Sequence, residues 1–474
     1  MRFIFALLLL LFAYVGIGLA PLFLVNLKDL SPFTLAFFRF FGSAVLEFGL
    51  IIVILILLKY KLGAAFQRAL KLNTTTDGTA LSASLSRPLG FWDLTKSTFR
   101  GYYFASNSSF LKGRNQLTYL AIMGIMLVSI HVPFYYLSFT ITGVAVTTIG
   151  VDGLAILLVA VYNWLRKEEA MDLLKGIYLM LILAAIITMG FAQEGAGASS
   201  IPGGTTTILI AVASYTFFLA NLGNDNSHSI NLLGDQRYLV DSDPSIKSLE
   251  TVLKAAYKLF GIHLIGAIFL FPVAGLFSVA FPTTIAGTIG RTFFSDLLSI
   301  PSILSNPSII ALILLSTAIP YFLIIYTSVI WPRQALKHNL WAGVFSMVEP
   351  AIGLYIGWLV WGEVLHIDYI AFITIFLAAS ILIRYFHETH NSQRFMFWIQ
   401  LRRGQLEDTI HKILELKEID TLDVLSGNYD LLLRVSVRSM ARLYDLAEQV
   451  RRIPTVKSLF YYVENPTLSV KSVQ

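Results

Sequence analysis

Two stretches of the 474-residue chain share a pattern that divides it into related halves: "SIHVPFYYLSFT" at 129–140 and "STAIPYFLIIYTSV" at 316–329. In each stretch a proline, Pro133 or Pro320, is followed by aromatic residues. The segments that come next, 147–169 and 345–365, also correspond. Each has an acidic residue, then Gly or Pro, a bulky apolar run, and a terminal Trp with Glu just beyond. The sequence therefore predicts an internal repeat.

The repeated segments belong to a series of long apolar runs in a chain that is 56% hydrophobic. A helix of about 20 apolar residues crosses the hydrocarbon core of a bilayer. Ten such spans are predicted, at approximately 3–25, 33–58, 118–139, 142–164, 172–192, 205–222, 256–281, 308–330, 340–361 and 367–386. The first is interpreted as a membrane helix rather than a signal peptide, because its apolar run is long and no A-x-A site follows. The predicted fold class of residues 1–386 is therefore an all-α polytopic membrane domain.

Ten spans divided by the repeat give five helices in each half. An odd number of spans per half gives the two halves opposite orientations, and such inverted repeats are a transporter architecture. The first half is assigned to residues 1–192, with a cytoplasmic insertion at 59–117. The second half is assigned to 193–386, with a cytoplasmic insertion at 223–255. The Ser/Thr-rich first insertion is interpreted as a polar, mobile segment.

The charged residues distinguish the end of the chain from the rest. Residues 387–474 contain 23 charged residues, against 41 in the 386 residues before them. This tail carries 12 basic and 11 acidic residues, so it offers no basic stripe for nucleic acid. Elsewhere, Lys and Arg are concentrated in the even-to-odd connections between spans. The positive-inside rule then places both termini in the cytoplasm and predicts a multi-pass protein of the cytoplasmic membrane.

Motifs of catalysis and cofactor binding are missing from the sequence. It has no cysteine, no G-x-x-x-x-G-K-[ST] loop, no H-E-x-x-H helix and no G-x-S-x-G elbow. No enzyme, cofactor or metal site is therefore expected.

The tail has the pattern of a soluble α+β domain. Strands are predicted at 394–401, 420–426, 429–438 and 456–464, with amphipathic helices at 405–416 and 440–452. Leu406, Ile410, Ile413 and Leu414 share one face of the first helix, and Met440, Leu443, Tyr444, Ala447 and Val450 share one face of the second. The order βαββαβ is the ferredoxin-like arrangement.

Both parts resemble known families. "SPFTLAFFRFFGS" at 31–43 and "VEPAIGLYIGWLVWGEVL" at 348–365 resemble the EamA-type branch of the drug/metabolite transporter superfamily. That resemblance implies a ten-helix secondary carrier of metabolites such as amino acids. The first half departs from the family pattern, with Asp152-Gly153 where a proline is usual. "LSGNYDLLLRVSVRSMARLYDL" at 425–446 and "VRRIPTVKSLFYYV" at 450–463 resemble the ligand-binding (RAM) domain of Lrp/AsnC regulators, which implies amino-acid binding and dimerisation.

Ionisable residues in apolar spans are costly and usually face a cavity or a partner. Arg39 is a candidate for anion binding or for an internal salt bridge, with a packing role as the alternative. Asp152 and Glu349 occupy equivalent repeat positions and are candidates for binding a substrate ammonium or a coupling proton, or for helix–helix hydrogen bonding alone. Glu47 and His131 also lie in apolar segments. The predicted substrate-binding set is Arg39, His131, Tyr135, Asp152, Tyr321 and Glu349, although a histidine bonded to a backbone carbonyl is an equal interpretation of His131.

The RAM resemblance implies that Gly427, Tyr429 and Asp430 are effector-site residues, or that Gly427 and Asp430 only shape the hairpin. It also implies a homodimer through the tail. The sequence thus predicts a carrier of small metabolites, most consistently amino acids, with a cytoplasmic sensing or dimerisation domain. The alternative is a membrane receptor that binds its ligand without transporting it.

Overall fold

The structure, a computed structural model, describes residues 2–75, 89–107, 114–165, 173–192, 201–221, 230–234, 243–330, 341, 344–390, 393–402, 406–414, 416, 419–437 and 440–463. The chain divides into two compact units. The first consists of Met1–Ile156, Leu183–Pro332 and Lys337–Leu377, and the second consists of Leu157–Ile182, Arg333–Leu336 and Ala378–Gln474.

The part of the chain before residue 391 is mainly helical. In chain order its α-helices are α1 (Arg2–Gly18), α2 (Ala20–Leu24), α3 (Pro32–Thr75), α4 (Phe91–Tyr103), α5 (Gln116–Gly124), α6 (Val132–Thr142), α7 (Val144–Leu165), α8 (Leu173–Ala192), α9 (Ile201–Asn221), α10 (Pro244–Ala280), α11 (Ile285–Asp296), α12 (Ile300–Leu304), α13 (Pro307–Ile313), α14 (Ile319–Ile330), α15 (Val348–Leu359) and α16 (Ile367–His390). Two short strands, β1 (Ser106–Asn107) and β2 (Arg114–Asn115), pair between α4 and α5.

Nine helical segments in the described ranges are long and apolar enough to cross a membrane: Ile4–Leu27, Pro32–Arg68, Gln116–Thr142, Val144–Tyr162, Leu173–Gly190, Gly204–Asn221, Pro244–Ala280, Pro307–Thr327 and Ile367–Phe386. They coincide with nine of the ten predicted spans and are consistent with a membrane protein. The remaining prediction, 340–361, coincides with a shorter apolar helix, Val344–Leu359. Residues 331–340, 342 and 343 lie outside the described residues.

The first insertion is more ordered than the sequence indicates. Helix α3 continues to Thr75 rather than ending at 58, and α4 places Leu94, Tyr102 and Tyr103 in the core of the bundle. The expected mobile segment is therefore wrong for residues 91–103. Similarly, α10 begins at Pro244, capped by the Asp243 side chain, and not at 256. Hydropathy marks the part of a helix that can lie in hydrocarbon. It does not mark the end of the helix, because an amphipathic segment with a polar face can continue it.

Both repeat prolines follow a short π-helical segment. π1 (Ile125–His131) lies between α5 and α6, and π2 (Leu314–Ala318) lies between α13 and α14. In π1 the Val132 N–H donates to Leu127 O, and in π2 the Ile319 N–H donates to Leu314 O, in each case five residues back. Because proline has no N–H and its ring clashes with the carbonyl four residues earlier, the helix widens before it.

The C-terminal domain is a four-stranded antiparallel sheet with two helices. Its elements are β3 (Gln393–Leu401), α17 (Leu406–Leu414), β4 (Ile419–Val424), β5 (Leu431–Val437), α18 (Met440–Arg451) and β6 (Val456–Val463). The sheet order β4-β5-β3-β6 is compatible with a ferredoxin-like domain. In the centre of the sheet Phe397 pairs with Leu433 on one side and with Tyr461 on the other.

The two faces of this sheet differ. The inner face contributes Phe397, Leu433 and Val435 to a core that also buries Ile413 and Leu443 from the helices. On the helices, Leu406, Leu414 and Tyr444 are exposed, so the apolar face that the sequence gives each helix is only partly buried. The buried face of each helix is narrower than its set of apolar residues, because a short helix contacts only a small area of the sheet.

Candidate functional site

A narrow cavity lies in the middle of the helical bundle. Its volume is about 30 Å³, enough for two or three water molecules at roughly 10–15 Å³ each. The lining residues are Ile17, Gly18, Ala20, Pro21, Arg39, His131, Val132, Tyr135, Thr148, Asp152, Tyr215, Tyr321 and Glu349. The structure thus brings all six predicted substrate-binding residues around one cavity, and their binding role remains a prediction. Sequence reasoning missed Thr148 and Tyr215, whose only signal is a polar atom in an apolar span.

Arg39 on α3 is buried and is held by hydroxyl and carbonyl groups. Its Nε donates to Thr317 Oγ1 at 2.6 Å, and its Nη1 donates to the Tyr136 hydroxyl at 2.5 Å. Its Nη2 donates to Ser316 O at 2.9 Å. Ser316 is the residue four positions before Pro320, whose ring nitrogen cannot donate to that carbonyl. Because Arg39 forms no ion pair with any described carboxylate, its positive charge at the cavity is not neutralised by one.

His131 is fixed by the backbone and by aromatic rings. Its Nδ1 lies 3.0 Å from Ala211 O, so this nitrogen is the donor. The ring stacks on Tyr215 with centroids 4.4 Å apart and on Tyr135 at 5.4 Å. This is the carbonyl-bonded arrangement that the sequence left as an equal alternative. It leaves only Nε2 of the imidazole for an exchange of protons.

The two acids of the repeat meet at the cavity. Asp152 on α7 interacts with the Tyr135 hydroxyl, and Glu349 on α15 interacts electrostatically with Asp152. Both side chains are buried, and Asp152 Oδ2 and Glu349 Oε1 accept no hydrogen bond from the described residues. Buried polar atoms are rarely left unpaired in folded proteins. These oxygens are therefore candidates for contact with a ligand or a proton.

Small residues determine how closely α7 and α15 approach. A Cβ at Gly353 would lie 2.3 Å from Thr148 Oγ1, and a Cβ at Gly357 would lie 2.9 Å from Ala145 N. Thr148 lies one turn from Asp152, and Gly353 lies one turn from Glu349, so the contact sets the acids next to each other. A larger side chain at Gly353 would separate them.

Glu363 fastens the same two helices at their other end. Its carboxylate accepts hydrogen bonds from the Val144 and Ala145 N–H groups at the start of α7. A negative charge at a helix N-terminus is stabilising. Burial raises the pKa of the Glu363 carboxyl above its ordinary value, while the two N–H donors lower it. Gly143 precedes them with φ +90°, a conformation that favours glycine.

In the C-terminal domain, the predicted effector residues form the β4–β5 hairpin. Gly427 has φ +142°, which favours glycine. Asp430 Oδ2 accepts from Leu401 N at 2.7 Å, and its own N–H donates to Ile399 O at 2.9 Å. Gly427 and Asp430 therefore shape the hairpin and fix it to β3, as in the alternative interpretation. Their role in effector binding remains a prediction.

Tyr429 belongs to an aromatic surface on the outer face of the sheet. Its ring lies 5.5 Å from that of Trp398 and 6.0 Å from that of Phe460. Phe460 is 48% exposed and Tyr462 is 59% exposed. We call Trp398, Tyr429, Phe460 and Tyr462 the aromatic face. Alternation along β3 and β6 places it opposite the core.

Comparison with known families identifies one domain. Residues 394–463 match the family model described as the Lrp/AsnC ligand binding domain, so the chain ends in a domain of this kind. No EamA-type model matches the helical part. Comparison with curated proteins gave no match, and comparison with solved structures gave none.

We expect Asp430→Ala to lower the free energy of unfolding of the C-terminal domain by about 1–3 kcal/mol, because the Leu401 N–H loses its acceptor in a buried position. Urea unfolding of a fragment covering residues 387–474, followed by circular dichroism, measures this. The matched control is Asp423→Ala, an exposed acid 3.7 Å from Arg434, which should change stability by no more than about 0.5 kcal/mol. Equal stability of Asp430→Ala and the wild-type domain would contradict the structural role.

Proposed function

We propose that the helical part is a secondary membrane carrier of small metabolites, with amino acids or related zwitterions as its substrates. The observation that carries this proposal is the cavity between Arg39 and the Asp152–Glu349 pair. A cation on one side and two acids on the other complement a molecule that has both a carboxylate and an ammonium group. Ionisable residues at membrane depth commonly mark substrate pathways.

The unpaired charge of Arg39 and the unpaired oxygens of the two acids support the same assignment. The guanidinium of Arg39 is oriented by neutral acceptors and keeps its net charge for an incoming carboxylate. Asp152 Oδ2 and Glu349 Oε1 are free to accept from an ammonium group. A zwitterion that bridges the two sides would place its carboxylate beside Arg39 and its ammonium group beside the two acids, which makes such a ligand preferable to an ion of one sign.

Details of the helices support an inverted five-plus-five repeat. The π-helical bonds of Val132 and Ile319 occur at the same distance before Pro133 and Pro320. Gly42 lies three residues after Arg39 and packs against Ile313, just before π2. Gly266 lies three residues after His263 and packs against Gly124 and Val128, at π1. Glycine contacts of this type allow close approach of membrane helices.

The narrow cavity fits one state of an alternating-access cycle. Its volume of about 30 Å³ is too small for an amino acid, so substrate entry requires the helices to separate. The π segments are positions where such bending is easiest, because part of the regular helical hydrogen bonding is already lost. Together with the EamA-type resemblance of residues 31–43 and 348–365, this favours a carrier without an enzymatic reaction.

A membrane receptor is the second candidate. A narrow cavity and an Lrp/AsnC ligand-binding domain are also what a sensor would have. A receptor would bind the same zwitterions without net flux. Uptake into proteoliposomes distinguishes the two functions.

For the C-terminal domain we infer amino-acid sensing and homodimerisation. The family of the domain supports a small-molecule ligand. The aromatic face is a partner surface for a second copy, since aromatic residues dominate the energetic centres of interfaces. An effector that binds one carrier conformation more tightly than another would shift their populations. The partners are thus a small-molecule substrate, the lipid bilayer and a second copy, with no nucleic acid.

Glu349→Gln should abolish uptake of radiolabelled amino acids into proteoliposomes, because it removes a charge that the substrate ammonium requires. Asp368→Asn is the control: Asp368 is an exposed acid at the start of α16, and its variant should transport normally. Wild-type rates in purified, reconstituted Glu349→Gln would exclude Glu349 from substrate binding. Binding without uptake by the wild-type chain would favour the receptor.

We also propose that both termini are cytoplasmic in the cell membrane, as the Lys and Arg distribution indicates. The chain has no cysteine, so single cysteines can report orientation directly. An impermeant maleimide added to intact cells should label Lys28→Cys and should leave Gln474→Cys unlabelled until the membrane is permeabilised. The reverse labelling pattern would invert the orientation and exclude a cytoplasmic sensor.

Trp398→Ala should weaken dimerisation of the full chain, by about 2 kcal/mol or more if Trp398 is an interface hot spot. This is roughly a 30-fold increase in the dissociation constant. Sedimentation in detergent with matched density measures it. Leu414→Ala is the control, because Leu414 is 52% exposed on α17, on the other side of the sheet. Unchanged dimerisation of Trp398→Ala would exclude the aromatic face as the interface.

A further inference from the structure

A second pair of ionisable side chains lies in the bundle outside the cavity, where α3 packs on α10. His263 Nδ1 lies 2.7 Å from Glu47 Oε1, and the Ser43 hydroxyl donates to the same oxygen at 2.9 Å. All three side chains are buried. Glu47 Oε2 and His263 Nε2 have no hydrogen-bond partner among the described residues. Each member of the pair therefore keeps one free polar atom.

This arrangement is suited to holding a proton. When Glu47 is charged and His263 is neutral, the pair has net charge −1; one proton added to either side chain brings it to zero. Burial in apolar surroundings makes an uncompensated charge costly. Among the described residues no lysine or arginine pairs with Glu47, so a proton is the available counter-charge.

The pair is connected to the cavity along α3. Arg39, Ser43 and Glu47 follow one another at intervals of four residues and therefore lie on one face of the helix. We call them the polar column. Its first residue lines the cavity, and its last belongs to the pair. The His263 ring also packs edge-on against Tyr321, another cavity residue, at 5.5 Å.

Few other titratable groups face the pair. Tyr321 contacts it from α14, and Tyr103 on α4 interacts electrostatically with Glu47. The Tyr103 hydroxyl donates to the carbonyl of Tyr257 on α10, and Arg39 is two turns away on α3. Tyrosine hydroxyls are neutral near physiological pH. The charge of the pair is therefore set by Glu47 and His263 themselves, with Arg39 as the fixed positive charge of the column.

We propose that Glu47 and His263 form the proton-binding site that couples transport to a proton gradient. This inference rests on the proposed carrier function and names its coupling ion. A proton taken up from one side of the membrane forms an O–H bond on Glu47, whose Oε2 has no other partner among the described residues, and is released to the other side when that bond breaks. The change in charge acts on Arg39 through the polar column and on Tyr321 through the ring contact, so protonation and cavity occupancy influence each other.

The first test needs no substrate. Acid titration of the purified full chain, followed by infrared difference spectroscopy, should show the carbonyl band of a protonated carboxylic acid. Glu47→Gln should lose this band, and His263→Gln should shift its titration midpoint. Ser43→Ala, which removes one hydrogen bond and no charge, should keep the band. If Glu47→Gln does not fold, Glu47→Asp should show the band displaced. A Glu47→Gln spectrum identical to that of the wild type overturns the proposal.

The second test uses proteoliposomes and a radiolabelled mixture of the proteinogenic amino acids. Glu47→Gln should lose accumulation driven by an imposed pH gradient and should retain counterflow at equal pH, whereas a merely structural role would impair both. Wild-type accumulation that ignores the gradient overturns proton coupling and leaves the carrier function intact. No flux of any amino acid through the wild type overturns the carrier function and the coupling, while the infrared titration still decides whether the pair binds a proton.

Discussion

The arrangement of the central part of the bundle reflects the energetic cost of burying ionisable side chains away from bulk water. Arg39 is held by hydroxyls and by a carbonyl that Pro320 leaves without its usual donor. The Thr148–Gly353 contact places Asp152 and Glu349 close together, and each acid has one oxygen without a hydrogen-bond partner among the described residues. Buried charges whose polar atoms lack a protein partner are costly for stability. A ligand that pairs with these groups would offset this cost.

The same prolines explain why this site is built on helices that can bend. A proline in a long apolar helix removes one hydrogen bond, and here both repeat prolines convert the preceding turn to π geometry. π1 contains His131, and π2 is followed by Tyr321, so residues of the cavity lie on or beside the two segments. A change in these segments would therefore change the shape of the cavity directly.

Much of this architecture could be predicted from the sequence. Apolar runs located nine of the spans, and alternation with turn residues located all four strands of the C-terminal domain. The six predicted substrate-binding residues were identified as polar groups in apolar helices, together with the equivalent repeat positions of Asp152 and Glu349 and the EamA-type motifs around Arg39 and Glu349. The rule that polar groups are rare in apolar helices also noted Glu47 and applies equally to His263 in the span 256–281. It could not show that the two side chains pair, since the packing of α3 on α10 is a tertiary fact. Nor could it show that α3 continues to Thr75 or that α4 packs on the bundle, because polar helices beyond the membrane have no hydropathy signal.

The two proposed binding functions would make different demands on the residues of the chain. In the C-terminal domain Asp430 and Gly427 are committed to the hairpin, and Tyr429 lies on the aromatic face. An effector held near this hairpin would contact backbone that is fixed to β3 by the Leu401–Asp430 hydrogen bond. In the bundle, by contrast, the acids of the cavity have few protein partners. Under the proposed function, the domain would give a small, rigid response that alters how two copies associate, and the bundle would undergo the larger rearrangement needed to open the cavity.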